Sequence, residues 1–277
     1  MNVEKLVRDL LPHLVIMGDY AVRVQSEVRD RPQKSGRTSF AQALTDADLS
    51  VQNYMEVLLL AQYPDISFFG EETDQSLNMK YFPANSEYKL WLDPINGTRF
   101  YRDGLDIFDI IATVTGPHKV EAVIVYVPRK RMFYFSVTGK GAYTTTKEGV
   151  LSEAPWAPLH LFTKRRDVMV FDRPETTKRI EPVFPVVDIY RDYDPANWHI
   201  TQHSILTGDL GAYIGFNVHL IDWGAVGYVA AEAGGIMTDI TGKPLESCHT
   251  FPDGRIPSLI VAADTEIHGK LLAALGR

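Results

Sequence analysis

Between residues 107 and 146 the chain passes through strand-like segments with no room for a helix between them. Residues 107–115, 119–128 and 132–137 are apolar runs divided by Gly116-Pro117 and by Pro128-Arg129-Lys130. Residues 138–141 make the next turn, and 142–146 extend the series. A parallel crossover needs a dozen or more residues, so gaps this short imply a meander. On either side, helical and strand patterns alternate. The expected architecture is therefore α/β, an α+β layered sandwich of helix and sheet layers, rather than a purely doubly wound sheet.

Leu6, Leu10, Leu11, Leu14 and Met17 recur at helical spacing and predict a helix over 3–27. Residues 29–40, with Pro32, Lys34, Ser35 and Gly36, have loop chemistry. A second helix is expected over 49–63, followed by strands at 66–69 and 88–92. Gly149, Pro155 and Pro158 mark residues 147–160 as the best boundary, giving an N-terminal half 1–150 and a C-terminal half 151–277. In the second half, strands are expected at 167–171, 212–216, 236–240 and 258–262. Helices are expected at 198–207, 223–233 and 268–275, and residues 177–184 fit either state. Gly234-Gly235 suits the left-handed residue that closes a helix.

The chain has 277 residues, enough for a large core without staples. Its 28 basic and 35 acidic residues leave a net charge of −7 with no basic block, which argues against nucleic-acid polymers and membrane surfaces as partners. Cys248 is the single cysteine, so no internal disulfide and no cysteine-based zinc site is expected. Apolar runs such as 57–61 are far shorter than a membrane span, and residues 1–9 are too charged for a secretory signal. A soluble, cytoplasmic protein is the expectation. Nucleotide-loop and His-Glu-x-x-His patterns do not occur.

Acidic groups concentrate beside turns in four segments: Thr45-Asp46-Ala47-Asp48, Gly70-Glu71-Glu72-Thr73, Asp93-Pro94-Ile95-Asn96-Gly97-Thr98, and Ile221-Asp222-Trp223. Each has a plain local reading. Thr45 and Asp48 form a helix capping box, Glu71 and Glu72 a solvated loop, Asn96-Gly97 a turn, and Asp222 a helix cap. Together they have another. Carboxylates gathered at strand ends and helix starts are what hard divalent cations require, and Mg²⁺ takes oxygen ligands while keeping water and phosphate in its shell.

These four segments, with Glu232-Ala-Gly-Gly after Asp222, resemble the inositol monophosphatase superfamily over most of residues 5–245. That superfamily also holds bisphosphate nucleotidases, fructose-bisphosphatases and histidinol-phosphate phosphatases. The resemblance implies an inositol monophosphatase-like sugar phosphatase fold and a Mg²⁺-dependent phosphomonoesterase. It would act on a small phosphorylated sugar, inositol or nucleotide, through metal-activated water and without a covalent phosphoenzyme. It implies two Mg²⁺ and room for a third. Glu71, Asp93 and the Ile95 carbonyl would hold the first ion. Asp93, Asn96 and Asp222 would hold the second, and Glu71 would reach a weaker third. Thr98 and Asp48 would orient and deprotonate the attacking water, with Glu71 counted beside them as catalytic. The N–H groups of Gly97 and Thr98 would receive phosphate, and Lys34 either approaches it or is a solvated loop lysine. Relatives are commonly homodimers, and a homodimer is expected here.

The chain departs from the family at Asn96, where members normally carry Asp. That leaves three carboxylates (Glu71, Asp93, Asp222) where the pattern has four. Lower ligand charge weakens affinity for a hard cation. Attenuated activity follows. The alternative is a catalytically impaired, phosphatase-like binding or regulatory protein. Asn96 is then a deliberate exchange, a natural ligand with unusual metal use, or the mark of a natural protein that no longer turns over. An Asn before Gly is also prone to deamidation, which would return a carboxylate. Inositol-specific relatives place an acidic residue seven positions before the Asp222 equivalent, where this chain has Gly215, so inositol monophosphate is not expected to be preferred. The segment Ala196-Asn197-Trp198-His199 offers aromatic groups that either stack on a nucleobase or belong to the core. Arg99 and Arg102 are either second-phosphate contacts or surface charges.

Overall fold

Asn2 opens helix α1 (Val3–Val24) by accepting the Lys5 N–H at 3.0 Å, and the helix continues through Pro12. Leu6, Leu10, Leu11, Leu14 and Met17 form its buried stripe, as the spacing requires. Helix α2 (Asp46–Gln62) begins ahead of the expected residue 49 because Thr45 and Asp48 close a reciprocal capping box. The structure is a computed structural model that describes residues 1–27, 45–171, 173–245 and 251–276. The chain divides into two compact units, residues 1–133 with 144–157, and residues 134–143 with 158–277.

The first sheet runs in chain order: β1 (Ser67–Gly70), β2 (Lys89–Asn96), β3 (Asp109–Thr115), β4 (Val120–Val127), β5 (Met132–Val137), β6 (Gly141–Thr146) and β7 (Ala157–Pro158). β1 and β2 are parallel, whereas β2–β3 and β3–β4 are antiparallel, the start of the expected meander. Every residue of β3 is buried, the mark of a strand covered on both faces. α1 packs on β3 and β4, and α2 packs on β2. Burial pushes the Tyr126 hydroxyl up to about 12, so this ring, stacked on Phe133 at 3.9 Å, stays neutral. Short helices α3 (Thr98–Arg102) and α4 (Lys147–Leu151) complete this unit.

The second unit holds β8 (Val168–Val170), α5 (Pro174–Ile180), β9 (Val186–Asp188), α6 (Ile189–Asp192), β10 (Ala212–His219), α7 (Ala225–Glu232), β11 (Ile236–Thr238), β12 (Arg255–Ala262) and α8 (Thr265–Ala274). Its sheet has the order β11-β12-β10-β8-β9. Alternate residues divide the two faces. Val168, Val170, Ala212, Ile214, Ile260 and Ala262 face Ile180 of α5 and Ile267 and Leu271 of α8 in one cluster. On the opposite phase, Val261 and Met237 meet α7 at Gly227. The ambiguous segment 177–184 is the end of α5 and the turn that leads to β9. The helix expected over 198–207 is shorter: only Gln202–Thr207 turns, tightly, with Thr201 and Ser204 capping one another and Gly208 closing it at φ 76°. Among the described residues no helix is long and apolar enough to cross a membrane.

Gly18 lets α1 approach β4 closely, since a Cβ there would lie 2.3 Å from the Tyr126 ring and 3.0 Å from Pro128. Gly269 of α8 faces open space. Gly18→Ala is therefore expected to lose about 1–3 kcal/mol and Gly269→Ala to gain about 0.5–1 kcal/mol, read by urea unfolding.

Candidate functional site

The pairing of β2 with β3 slips where the acidic segment begins. Asp93 pairs with Ile111, but Asn96 pairs with Asp109, so three steps on β2 oppose two on β3. One extra residue at Pro94-Ile95 makes a β-bulge, a place where a proline without an N–H costs no ladder bond. Simple alternation would send Asp93 and Asn96 to opposite faces. The bulge undoes this, because cross-strand partners share a face and Ile111 and Asp109 lie two apart on β3. Asp93, Asn96 and Asp109 are consequently on one face, 4%, 6% and 0% exposed. The Asn96 Nδ2 donates to Asp109 Oδ1 at 2.8 Å.

Beyond the strand the chain turns sharply at Gly97 (φ 81°), where a Cβ would meet the Phe100 ring at 2.8 Å. The turn brings Thr98 back over it. Its hydroxyl reaches the Ile95 carbonyl at 3.0 Å and Asp48 Oδ1 at 3.2 Å. A hydroxyl has one proton, so these two acceptors compete for it. The other carboxylate oxygen of Asp48 accepts the N–H and hydroxyl of Thr45 at 2.9 and 2.6 Å. The capping box and the contact with Thr98 thus use separate oxygens of one fully buried side chain. Buried Tyr101 of α3 is pushed up by desolvation and by the charge of Asp48, and donates to the Ala21 carbonyl at 2.7 Å.

Glu71 and Glu72 part ways. Glu71 is exposed, and its N–H donates to the Leu92 carbonyl, carrying the β1–β2 register one step past Gly70↔Leu92 to the level of Asp93. Glu72 is buried, so the solvated-loop reading fails for it. Its N–H donates to Gln52 Oε1 at 2.9 Å. Gln52 in turn donates to Glu56 Oε1 at 2.9 Å, and Glu56 Oε2 accepts Ser76 and Asn78 at 2.8 and 2.9 Å. This network fixes the segment that carries Glu71. The four acidic segments do not include Gln52, Glu56 or Asp109. The available signal was polar residues four apart within α2, and an acid inside the apolar run 107–114.

In the second unit, Asp222 lies in a wide, π-type turn, Leu220–Gly224, between β10 and α7. Such turns are frequent at functional sites. Asp222 is half-buried and accepts the N–H of Trp223, so it does not cap α7, whose flanking Gly224 makes no side-chain cap. Tyr213 donates to the Trp223 carbonyl at 2.7 Å; burial, with the Asp222 charge adding, pushes its hydroxyl far up. At Gly215 a Cβ would stand 2.5 Å from Val218 Cγ1 and 3.0 Å from the Trp223 ring. A cavity of about 240 Å³ lies among Arg165, Asp167, Asp192, Trp198 and His199. Trp198 meets Tyr193 edge-on at 5.6 Å. Arg99 and Arg102 both pair with Asp103, at 2.8 and 3.7 Å. Lys34 lies outside the described residues.

Among the described residues of either unit, no three His, Cys, Asp or Glu side chains stand close enough to hold a metal ion by themselves. The donors on the bulge face are nevertheless all oxygens: two carboxylates, an amide and a main-chain carbonyl. Such donors fit a hard ion of the Mg²⁺ type, which completes its shell with water and phosphate, and do not fit zinc or copper.

The fold and this oxygen-lined face define a layered α/β protein with a candidate hard-cation site at the ends of two parallel strands. A sequence model of the inositol monophosphatase family matches residues 14–277, and the chain belongs to that family. Inositol monophosphatase 1 of Homo sapiens is 24% identical over 217 residues, 76% of each chain. The structure of an IMPase from Thermotoga maritima superposes with a TM-score of 0.74 at 16% identity, covering 100% of this chain and 97% of that one. That of an IMPase/NADP phosphatase complexed with Mg²⁺ and phosphate has a TM-score of 0.69 at 17% identity, covering 98% and 94%.

Glu56→Ala removes the acceptor of buried Gln52 and of the half-buried Ser76 and Asn78. It is expected to cost about 2–3 kcal/mol, while Val57→Ala on the exposed side of the same helix changes stability by under about 0.5 kcal/mol, both measured by urea unfolding.

Proposed function

We propose that the protein is a Mg²⁺-dependent phosphomonoesterase acting on a small phosphorylated metabolite. The observation that carries this reading is the Thr98 hydroxyl, within reach of both Asp48 Oδ1 and the Ile95 carbonyl and able to donate to either, beside the bulge face of Asp93 and Asn96. Family membership supports it. Asp93, the Ile95 carbonyl and Asn96, with Glu71, are the residues that would hold cations, and the family pattern adds Asp222 to the same donor set. When bound, Mg²⁺ neutralises charge on the phosphoryl group and lowers the pKa of the attacking water.

The chain's own residues supply the rest. Once the Ile95 carbonyl is otherwise engaged, the Thr98 proton goes to Asp48 Oδ1. A lone pair on Thr98 Oγ1 is then free to accept a hydrogen bond from water and orient it toward phosphorus. Asp48 draws the proton away through the Thr98 hydroxyl. Its second oxygen stays fixed by Thr45, so the accepting oxygen does not swing. The N–H groups of Gly97 and Thr98, held by the left-handed turn, receive a phosphate oxygen. Lys34 is assigned a phosphate contact by the family resemblance alone.

Gly215 bears on the substrate. The space in front of it belongs to Val218 and Trp223, so this position lacks the acidic group that inositol-specific relatives place there. This supports a preference for a phosphorylated sugar or nucleotide over inositol monophosphate.

Phosphate release from a panel of phosphomonoesters, with Mg²⁺ varied, tests the reading. Saturable turnover that EDTA abolishes is expected. Thr98→Ala should lower kcat by about 10²–10⁴-fold and Thr98→Ser by far less, because serine keeps the hydroxyl. Stoichiometric Mg²⁺ binding with no release across the panel would instead assign a binding or regulatory role.

A further inference from the structure

We infer that Asp109 is a positioning residue of the cation site and carries the negative charge that residue 96 lacks. The inference rests on the site reading above and goes beyond it. Asp109 is fully buried in β3, directly opposite Asn96 in the strand register and on the same face as Asp93. A carboxylate there needs a donor, and Asn96 Nδ2 supplies one at 2.8 Å. The bond also settles the orientation of the amide. A carboxylate only accepts, so the NH₂ group must face Asp109 and the Asn96 carbonyl oxygen must face away from it. The oxygen thereby becomes available as a neutral ligand, held in place by an anionic partner. Partners of this kind orient metal ligands and strengthen them.

The pair explains how Asn is accommodated at position 96. With Asp at 96 and Asp109 unchanged, two carboxylates would oppose each other at a buried register pair, within hydrogen-bond distance. The pair as it stands has one amide and one carboxylate. So would the reversed pair, with the carboxylate at 96 and the amide at 109. Either arrangement places one negative charge on this pair.

Titration calorimetry with Mg²⁺ alone, together with thermal unfolding in EDTA, tests this on the full chain without reference to turnover. Asp109→Asn keeps shape and a hydrogen bond but removes the charge; it is expected to weaken Mg²⁺ binding about 10–100-fold. Adding Asn96→Asp to it should recover most of that loss. Asn96→Asp alone should lower the unfolding temperature in EDTA, and Asp109→Asn should restore it. If Asp109→Asn binds Mg²⁺ as the parent does, with only its unfolding temperature changed, Asp109 is structural and the inference fails. It fails equally if the double variant recovers nothing. A parent chain that binds no Mg²⁺ overturns the cation-site reading itself, an outcome distinct from either of these.

Discussion

One extra residue in strand β2 organises the candidate site. Without the slip at Pro94-Ile95, Asp93 and Asn96 would face opposite sides of a sheet whose next strand is buried on both faces. With it, two polar side chains from β2 and one from β3 share a side, and the chain leaves the sheet at the angle that Gly97 then turns into α3. A proline is tolerated in the middle of this sheet only because a bulge needs no N–H at that point. Sterics of the backbone therefore come first, and the polar chemistry is arranged on them.

Much of the framework could be read from residue patterns, because period alone decides it. The amphipathic stripe of α1 and the short turns of the meander leave few alternatives. The segments that resisted are those where tertiary contacts or side-chain caps override period. Residues 198–207 have helical texture, yet Thr201 and Ser204 capture each other's backbone and only a tight turn survives. Residues 177–184 fit both states locally, and the packing of Ile180 and Phe184 against the second sheet decides.

The site shows the same division. The motif residues announce themselves by type and spacing, but their supports do not. Gln52 and Glu56 look like ordinary polar positions of a helix until β1 places Gly70 against them, where a Cβ would lie 2.2 Å from Gln52 Oε1. The glycine is there to admit the amide, and the amide is there to hold the Glu72 backbone. A local pattern carries no trace of a contact between residues 52 and 72. Asp48 is the instructive middle case. A capping box and the proposed catalytic partnership draw on one short segment, yet a carboxylate has two oxygens, one held by Thr45 and the other facing the Thr98 hydroxyl.

Asn96 is the residue whose meaning changes most between the two levels. In isolation it is a neutral substitution in an acidic motif and reads as damage. Beside Asp109 it is half of a matched pair. Ligand charge governs affinity for hard cations, but charge acts through distance and dielectric and need not sit on the ligating atom. A carboxylate one hydrogen bond behind the amide, in a site shielded from solvent, polarises that amide and raises the negative potential at its oxygen. An acidic residue inside an apolar strand is costly unless something on the same face requires it. On the proposed reading, the neutral residue 96 and the buried acid account for each other.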